Sequence, residues 1–139
     1  MRQSWPANHN VPISRVQRAG DFVFTSAYGP WTFDPADLVF DDAGRMIDDG
    51  TGNIGMPFDE QVHRTFGFVT ENLALAGCTL EDVVESRCWL AEARDFAPFN
   101  AVYATYFMSN RPVRTVFPSG FMFCCKVEIQ VIAWKPLTK

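Results

Sequence analysis

Histidine is nearly missing from this 139-residue chain, which carries only His9 and His63. A serine or cysteine triad needs a base within hydrogen-bond reach of its nucleophile, and two isolated histidines give such a triad little support. Neither has a second ligand at a metal-binding spacing, so no metal is expected. The four cysteines, Cys78, Cys88, Cys124 and Cys125, show neither zinc-site spacing nor the density of a disulfide scaffold, and the adjacent pair is poorly placed for a bridge. They read as reduced, mostly buried thiols. Basic runs are lacking too. A net charge of -4 and a pI near 5.0 work against a phosphate backbone, where affinity rests on Lys and Arg displacing counterions. The opening Met1-Arg2-Gln3-Ser4-Trp5-Pro6 has no apolar stretch of the secretory kind, and no segment approaches the ~18 apolar residues that span a bilayer. No membrane contact and a cytoplasmic location are the expectation. Gly50-Thr51-Gly52-Asn53-Ile54-Gly55 spells G-x-G-x-x-G, but it connects no convincing strand to a helix, so it is read as chance and no phosphate-binding loop is expected.

What is present is a globular composition, 47% hydrophobic and 20% charged with thirteen phenylalanines, at the length of one domain covering residues 1–139. Residues 1–10 read as an N-terminal extension. Ser14–Ala19 and Phe22–Ala27 have strand composition on either side of Gly20-Asp21, which predicts a β-hairpin. Residues 31–56 form a long acidic loop with six aspartates between Asp34 and Asp49, in which Leu38–Phe40 and Arg45–Ile47 flank a turn-like Asp41–Gly44. Phe58, Val62, Phe66, Val69, Leu73 and Ala76 recur at steps of three and four, a helix face closed by Gly77. Thr79 with Asp82 resembles a capping box and predicts one helical turn. A strand over 84–90, a second helix over 96–107 with an aromatic stripe read as core, and strands over 113–117 and 126–134 complete the chain.

The order β-β-α-β-α-β-β predicts a two-layer α/β (α+β) domain with both helices on one face of a mixed sheet. In the last strand Val127, Ile129, Val131 and Ala133 point one way, and Glu128, Gln130, Ile132 and Trp134 the other. Ile132 and Trp134 then leave an apolar face without helices, which predicts an oligomer.

Two charges stand where their neighbours are apolar: Arg114 just inside a strand, and Glu128 within the last one. Either is costly to bury without a partner or ligand. A guanidinium grips a carboxylate through two parallel hydrogen bonds, so Arg114 is a natural anchor for a small organic acid, and Glu128 can position a water. The same pattern is met if the two residues pair with each other or point to solvent.

The run Arg111-Pro112-Val113-Arg114-Thr115-Val116, followed by Cys125-Lys126-Val127-Glu128-Ile129-Gln130-Val131-Ile132-Ala133, resembles the C-terminal signature of the Rid (reactive intermediate deaminase, YjgF) family. Gly20, Thr25-Ser26, Asn72-Leu73, Ala76-Gly77, Asp95-Phe96-Ala97, Asn100 and Tyr103 match as well, so the resemblance runs from about Val11 to Trp134. It implies a chorismate-mutase-like fold, a homotrimer with ligand clefts between subunits, and hydrolysis of reactive enamines and imines to a 2-oxo acid and ammonia without metal or cofactor. It also implies that Arg114 binds the substrate carboxylate, that Glu128 orients the attacking water, and that Ser26, Ala27 and Asn100 line the cleft. A cysteine and a tyrosine common in the family are replaced by Val116 and Ile13, which makes the pocket more apolar. The alternatives are a non-catalytic binder of small carboxylates and an endoribonuclease or translation inhibitor, a label some relatives carry. The acidic charge speaks against the latter.

Overall fold

The first residues are part of the sheet rather than an extension to it. In the computed structural model, which describes residues 1–7, 11–30, 39–43, 46–48, 55–122 and 124–138, β1 (Arg2–Pro6) pairs antiparallel with β2 (Ser14–Ala19), Arg2 opposite Ala19 and Trp5 opposite Val16. The sequence hides this strand because four of its five residues are exposed. An edge strand of charged and polar residues buries too little to show an alternating pattern.

β2 turns into β3 (Phe22–Thr25) through Gly20, whose φ of +61 is a left-handed conformation that side chains resist. Within the acidic segment, β4 (Val39–Phe40) and β5 (Met46–Asp48) form a two-stranded ladder, with the Asp41 carboxylate accepting the Ala43 N–H at 3.0 Å. Most of the Gly50–Gly55 run lies outside the described residues.

α1 (Phe58–Leu75) buries Val62, Phe66, Val69 and Leu73, the expected stripe. Its end is a Schellman motif: Gly77, at φ +74, donates to Ala74 O, and Cys78 donates to Leu73 O. The single turn predicted at Thr79 is a 3₁₀ turn over Leu80–Asp82, with the Thr79 N–H donating to the Asp82 carboxylate at 2.8 Å. β6 (Val83–Leu90) follows, then α2 (Phe96–Tyr106), β7 (Val113–Pro118) and β8 (Val127–Trp134).

The six-stranded sheet has the order β1-β2-β3-β8-β6-β7, antiparallel except for the β6/β7 pair, which α2 connects as a parallel crossover. Both helices pack on one face. There Val16, Val23, Val127, Ile129, Val131 and Ala133 meet Val62, Phe66, Leu73 and Phe99 in one core, and burying each large side chain contributes about 1.5–3 kcal/mol relative to leaving it in water. Arg18 is buried with them. It donates to Gly20 O (3.2 Å), Lys135 O (2.9 Å) and Ala76 O (3.0 Å), tying the hairpin turn, the end of β8 and the end of α1 together.

The other face carries no helix. Phe22, Phe24, Phe117 and Trp134 are all more than 40% exposed or close to it, and Trp89 stacks on Phe117 at 5.9 Å. This is the apolar surface expected of the last strand, extended over β3, β6 and β7 by register. No helix among the described residues is long and apolar enough to cross a membrane.

Candidate active site

Strand register decides which charged residues can meet. Arg114 on β7 lies opposite Ser86 of β6, and Val116 lies opposite Cys88. Ser86 and Cys88 are fully buried toward the helices, so Arg114 and Val116 share that helix-covered face. Glu128 on β8 lies opposite Trp89, which belongs to the open face. One strand and the thickness of the sheet separate Arg114 from Glu128, and they do not pair.

On the helix side, the Arg114 guanidinium stands 4.6 Å from the centroid of Tyr103, 5.7 Å from Phe99 and 5.8 Å from Phe96. Three ring faces around one cation hold it in place by quadrupole attraction without neutralising it. No carboxylate among the described residues is at ion-pair distance from it. Tyr103 is itself fixed, since its hydroxyl shares a 2.6 Å hydrogen bond with the buried Ser86 hydroxyl. Burial pushes the Tyr103 phenol up, partly offset by the Ser86 hydrogen bond and by the charges of Arg114 and Arg111. Burial likewise pushes the Cys88 thiol up to about 12, so beside this site it is no nucleophile at neutral pH.

Arg114 and Tyr103 line a hollow of about 370 Å³ with Asn100, Ala104, Arg111 and Pro112. The Asn100 side-chain oxygen is buried and accepts no hydrogen bond. A buried acceptor without a donor is costly, by about 1–3 kcal/mol, and a ligand N–H would satisfy it. A second, apolar hollow of about 290 Å³ is lined by Leu90, Ala93, Phe96, Val116 and Pro118. Phe96 is 47% exposed and lines this second hollow, outside the core in which the aromatic stripe placed it.

On the open side, Ile13, Gln17, Phe24, Ser26 and Gln130 line a hollow of about 450 Å³. The Ser26 hydroxyl donates to Ser14 O at 2.6 Å, which pins the chain where β3 ends, and half-buried Ala27 follows it. Glu128 is one alternation along β8 from Gln130, on the same face. Burial pushes its carboxyl up to about 7.

The expected site residues therefore fall into two sets in one chain: Arg114, Asn100 and Val116 on the helix side, and Glu128, Ser26 and Ile13 on the open side, with Ala27 next to Ser26. Sequence reasoning did not single out Phe96, Phe99, Tyr103, Ser86 or Arg111 as site residues. The signal for the first three was present, because 96, 99, 100 and 103 fall on one helix face that needed only a neighbouring strand to become a cleft wall. Among the described residues no group of three or more His, Cys, Asp or Glu side chains is arranged to hold a metal ion.

The chain has relatives in sequence and in fold. Residues 9–135 match the family described as Endoribonuclease L-PSP. A RutC family protein of Saccharolobus solfataricus is 32% identical over 126 residues, 89% of this chain and 87% of that protein. A Rattus norvegicus protein named 2-iminobutanoate/2-iminopropanoate deaminase is 33% identical over 79 residues, 53% of this chain and 55% of its own. Among solved structures, a Mycobacterium tuberculosis member of the YjgF/YER057c/UK114 family superposes with a TM-score of 0.73 at 20% identity, covering 96% of this chain and 99% of that one. The fold is thus shared at a level where sequence has largely diverged. With nearly its whole length matched, this chain belongs to the endoribonuclease L-PSP family, the YjgF/RutC group.

Proposed function

We propose that the protein hydrolyses a reactive 2-imino acid to the 2-oxo acid and ammonia. The observation that carries this reading is the unneutralised Arg114 guanidinium, held over three rings beside the unsatisfied Asn100 oxygen. A carboxylate accepts two hydrogen bonds from the guanidinium, and an iminium N–H donates to Asn100 Oδ1. On this reading C2 of the substrate lies between the two anchors, where a water can reach it. Water adds to C2, the C–N π pair moves to nitrogen, and the resulting carbinolamine expels ammonia as the carbonyl forms. One water is consumed and one ammonium released, with no oxidant or cofactor in the balance.

An iminium carbon is already electrophilic, so the protein's task is orientation and proton transfer. A carboxyl with pKa near 7 suits both directions of that transfer, and Glu128 is such a group. Because Glu128 and Arg114 occupy opposite faces of one sheet, the reading requires a second copy to bring its open face, with Glu128, Ser26 and Ile13, against the Arg114 cleft. A homotrimer built on the apolar open face meets that requirement. The deaminase names carried by relatives at 33–35% identity over about half the chain support the chemistry.

The test is to generate imines in place with an amino-acid oxidase and follow their trapping by semicarbazide. The wild-type protein should suppress trapping. Arg114→Ala should lose at least about 100-fold of this effect, the size expected when a two-bond charged contact is removed, while its oligomeric state is retained. If no imine disappears faster with the wild-type protein, the reading fails.

A further inference from the structure

Arg114 is not the only uncompensated cation in its cleft. Arg111 lines the same hollow of about 370 Å³. Its Nε donates to Phe107 O at 2.9 Å, which fixes the root of the guanidinium at the end of α2 and leaves its two terminal nitrogens without a described hydrogen bond. Arg111 is exposed and Arg114 half-buried, and the two line this hollow three residues apart. Both charges act on the Tyr103 hydroxyl, drawing its pKa down against burial.

In a chain of net charge -4, four arginines outside the cleft have described partners. Arg87 pairs with Glu85 and Arg94 with Glu92; Arg15 donates to Asn72, and Arg18 is wrapped by carbonyls. Among the described residues no acidic side chain lines the hollow that holds Arg111 and Arg114. Arg111 also lines a second hollow with Glu81 and Asp82, but neither carboxylate is at ion-pair distance from it. Asp82 is occupied by the Thr79 N–H and by Lys135 at 3.6 Å. Two like charges lining one hollow repel, the more so as water is excluded, and an anion between them removes the repulsion.

We infer that this cleft takes a substrate with two carboxylates: a 2-imino diacid whose α-carboxylate meets Arg114, whose imine N–H meets Asn100 Oδ1, and whose distal carboxylate meets Arg111. This deepens the reading of Arg114 as the carboxylate anchor and rests on it. The distal carboxylate takes no part in the reaction. It adds charge-assisted hydrogen bonds that a monocarboxylate cannot make, and it orients C2 by holding the molecule at both ends. The reactions that supply such a substrate are the two-electron oxidation of an acidic amino acid by an amino-acid oxidase or dehydrogenase, and β-elimination from an acidic amino acid that carries a leaving group on its β-carbon.

The stable 2-oxo acids test this without turnover. By calorimetry at fixed low salt, the wild-type protein should bind 2-oxoglutarate at least about tenfold more tightly than 2-oxobutanoate, the change expected for one charged contact. Arg111→Met should bring that ratio to near one, and Arg111→Lys, which keeps the charge, should retain most of it. If Arg111 only caps α2, its substitution would change both affinities together and leave the ratio intact, and that result overturns the inference. A wild-type ratio near one overturns it as well. Imine turnover is scored separately: monocarboxylic imines hydrolysed without any diacid preference would sink the inference and spare the deaminase reading. An Arg111-dependent diacid preference with no imine turnover would do the reverse.

Discussion

Replacing Glu128 by Gln should stabilise the protein above neutral pH and leave it nearly unchanged in acid. The folded carboxyl titrates near 7 because burial disfavours its charge, whereas an unfolded glutamate titrates near 4.5. Below pH 4.5 both states are protonated and the side chain adds no penalty. Between 4.5 and 7 the unfolded state loses its proton first, so stability falls as pH rises. Above 7 both states are ionised and the full penalty stands. A rise of this size corresponds to about 3 kcal/mol by linkage, and solvent reaching a half-buried side chain reduces it to about 1–2 kcal/mol. Gln keeps the shape and carries no charge. Urea unfolding at pH 5 and pH 8.5, at one protein concentration, should therefore show Glu128→Gln gaining about 1–2 kcal/mol over the wild type at pH 8.5 and a small fraction of that at pH 5. Equal shifts at the two pH values, or a loss at pH 8.5, would refute the burial argument. A stabilised variant that no longer hydrolyses imines would show a functional group kept at a cost to the fold.

One further substitution and one labelling experiment probe the scaffold. Arg18→Met removes three hydrogen bonds to carbonyls at the hairpin, α1 and β8. It should cost about 2–4 kcal/mol in chemical unfolding, the orphaned carbonyls outweighing relief from burying a charge; an unchanged midpoint would mean that the two effects cancel. Cys88, fully buried with its thiol pushed up to about 12, should resist iodoacetamide at pH 8 in the native protein and react fully in denaturant, as read by peptide mass. Rapid native labelling would contradict that burial.

Much of the fold was legible because its signals are local. The Gly20 turn, the Val62–Leu73 stripe, the Gly77 stop and the alternation from Val127 to Ala133 each follow from one residue type in one conformation or at one period. β1 was not legible, because Arg2, Gln3 and Ser4 bury almost nothing and are ordered by the neighbouring strand. The site was half legible. Arg114 and Glu128 stood out as charges among apolar neighbours, but whether they pair depends on β6 lying between β7 and β8, a long-range fact. Phe96 shows the same limit. A stripe at helical spacing says which side chains share a face, not where the opposing sheet ends, and Phe96 overhangs that end.

The division of the expected site across the two faces of one sheet has a genetic corollary. On the proposed reading, every working cleft takes one face from each of two copies, so a copy damaged at Arg114 is still a sound donor of Glu128, and the converse holds. Two inactive alleles of opposite kind expressed together would rebuild some intact clefts, while two of the same kind would rebuild none. Damage at this site is therefore counted per boundary between copies rather than per chain.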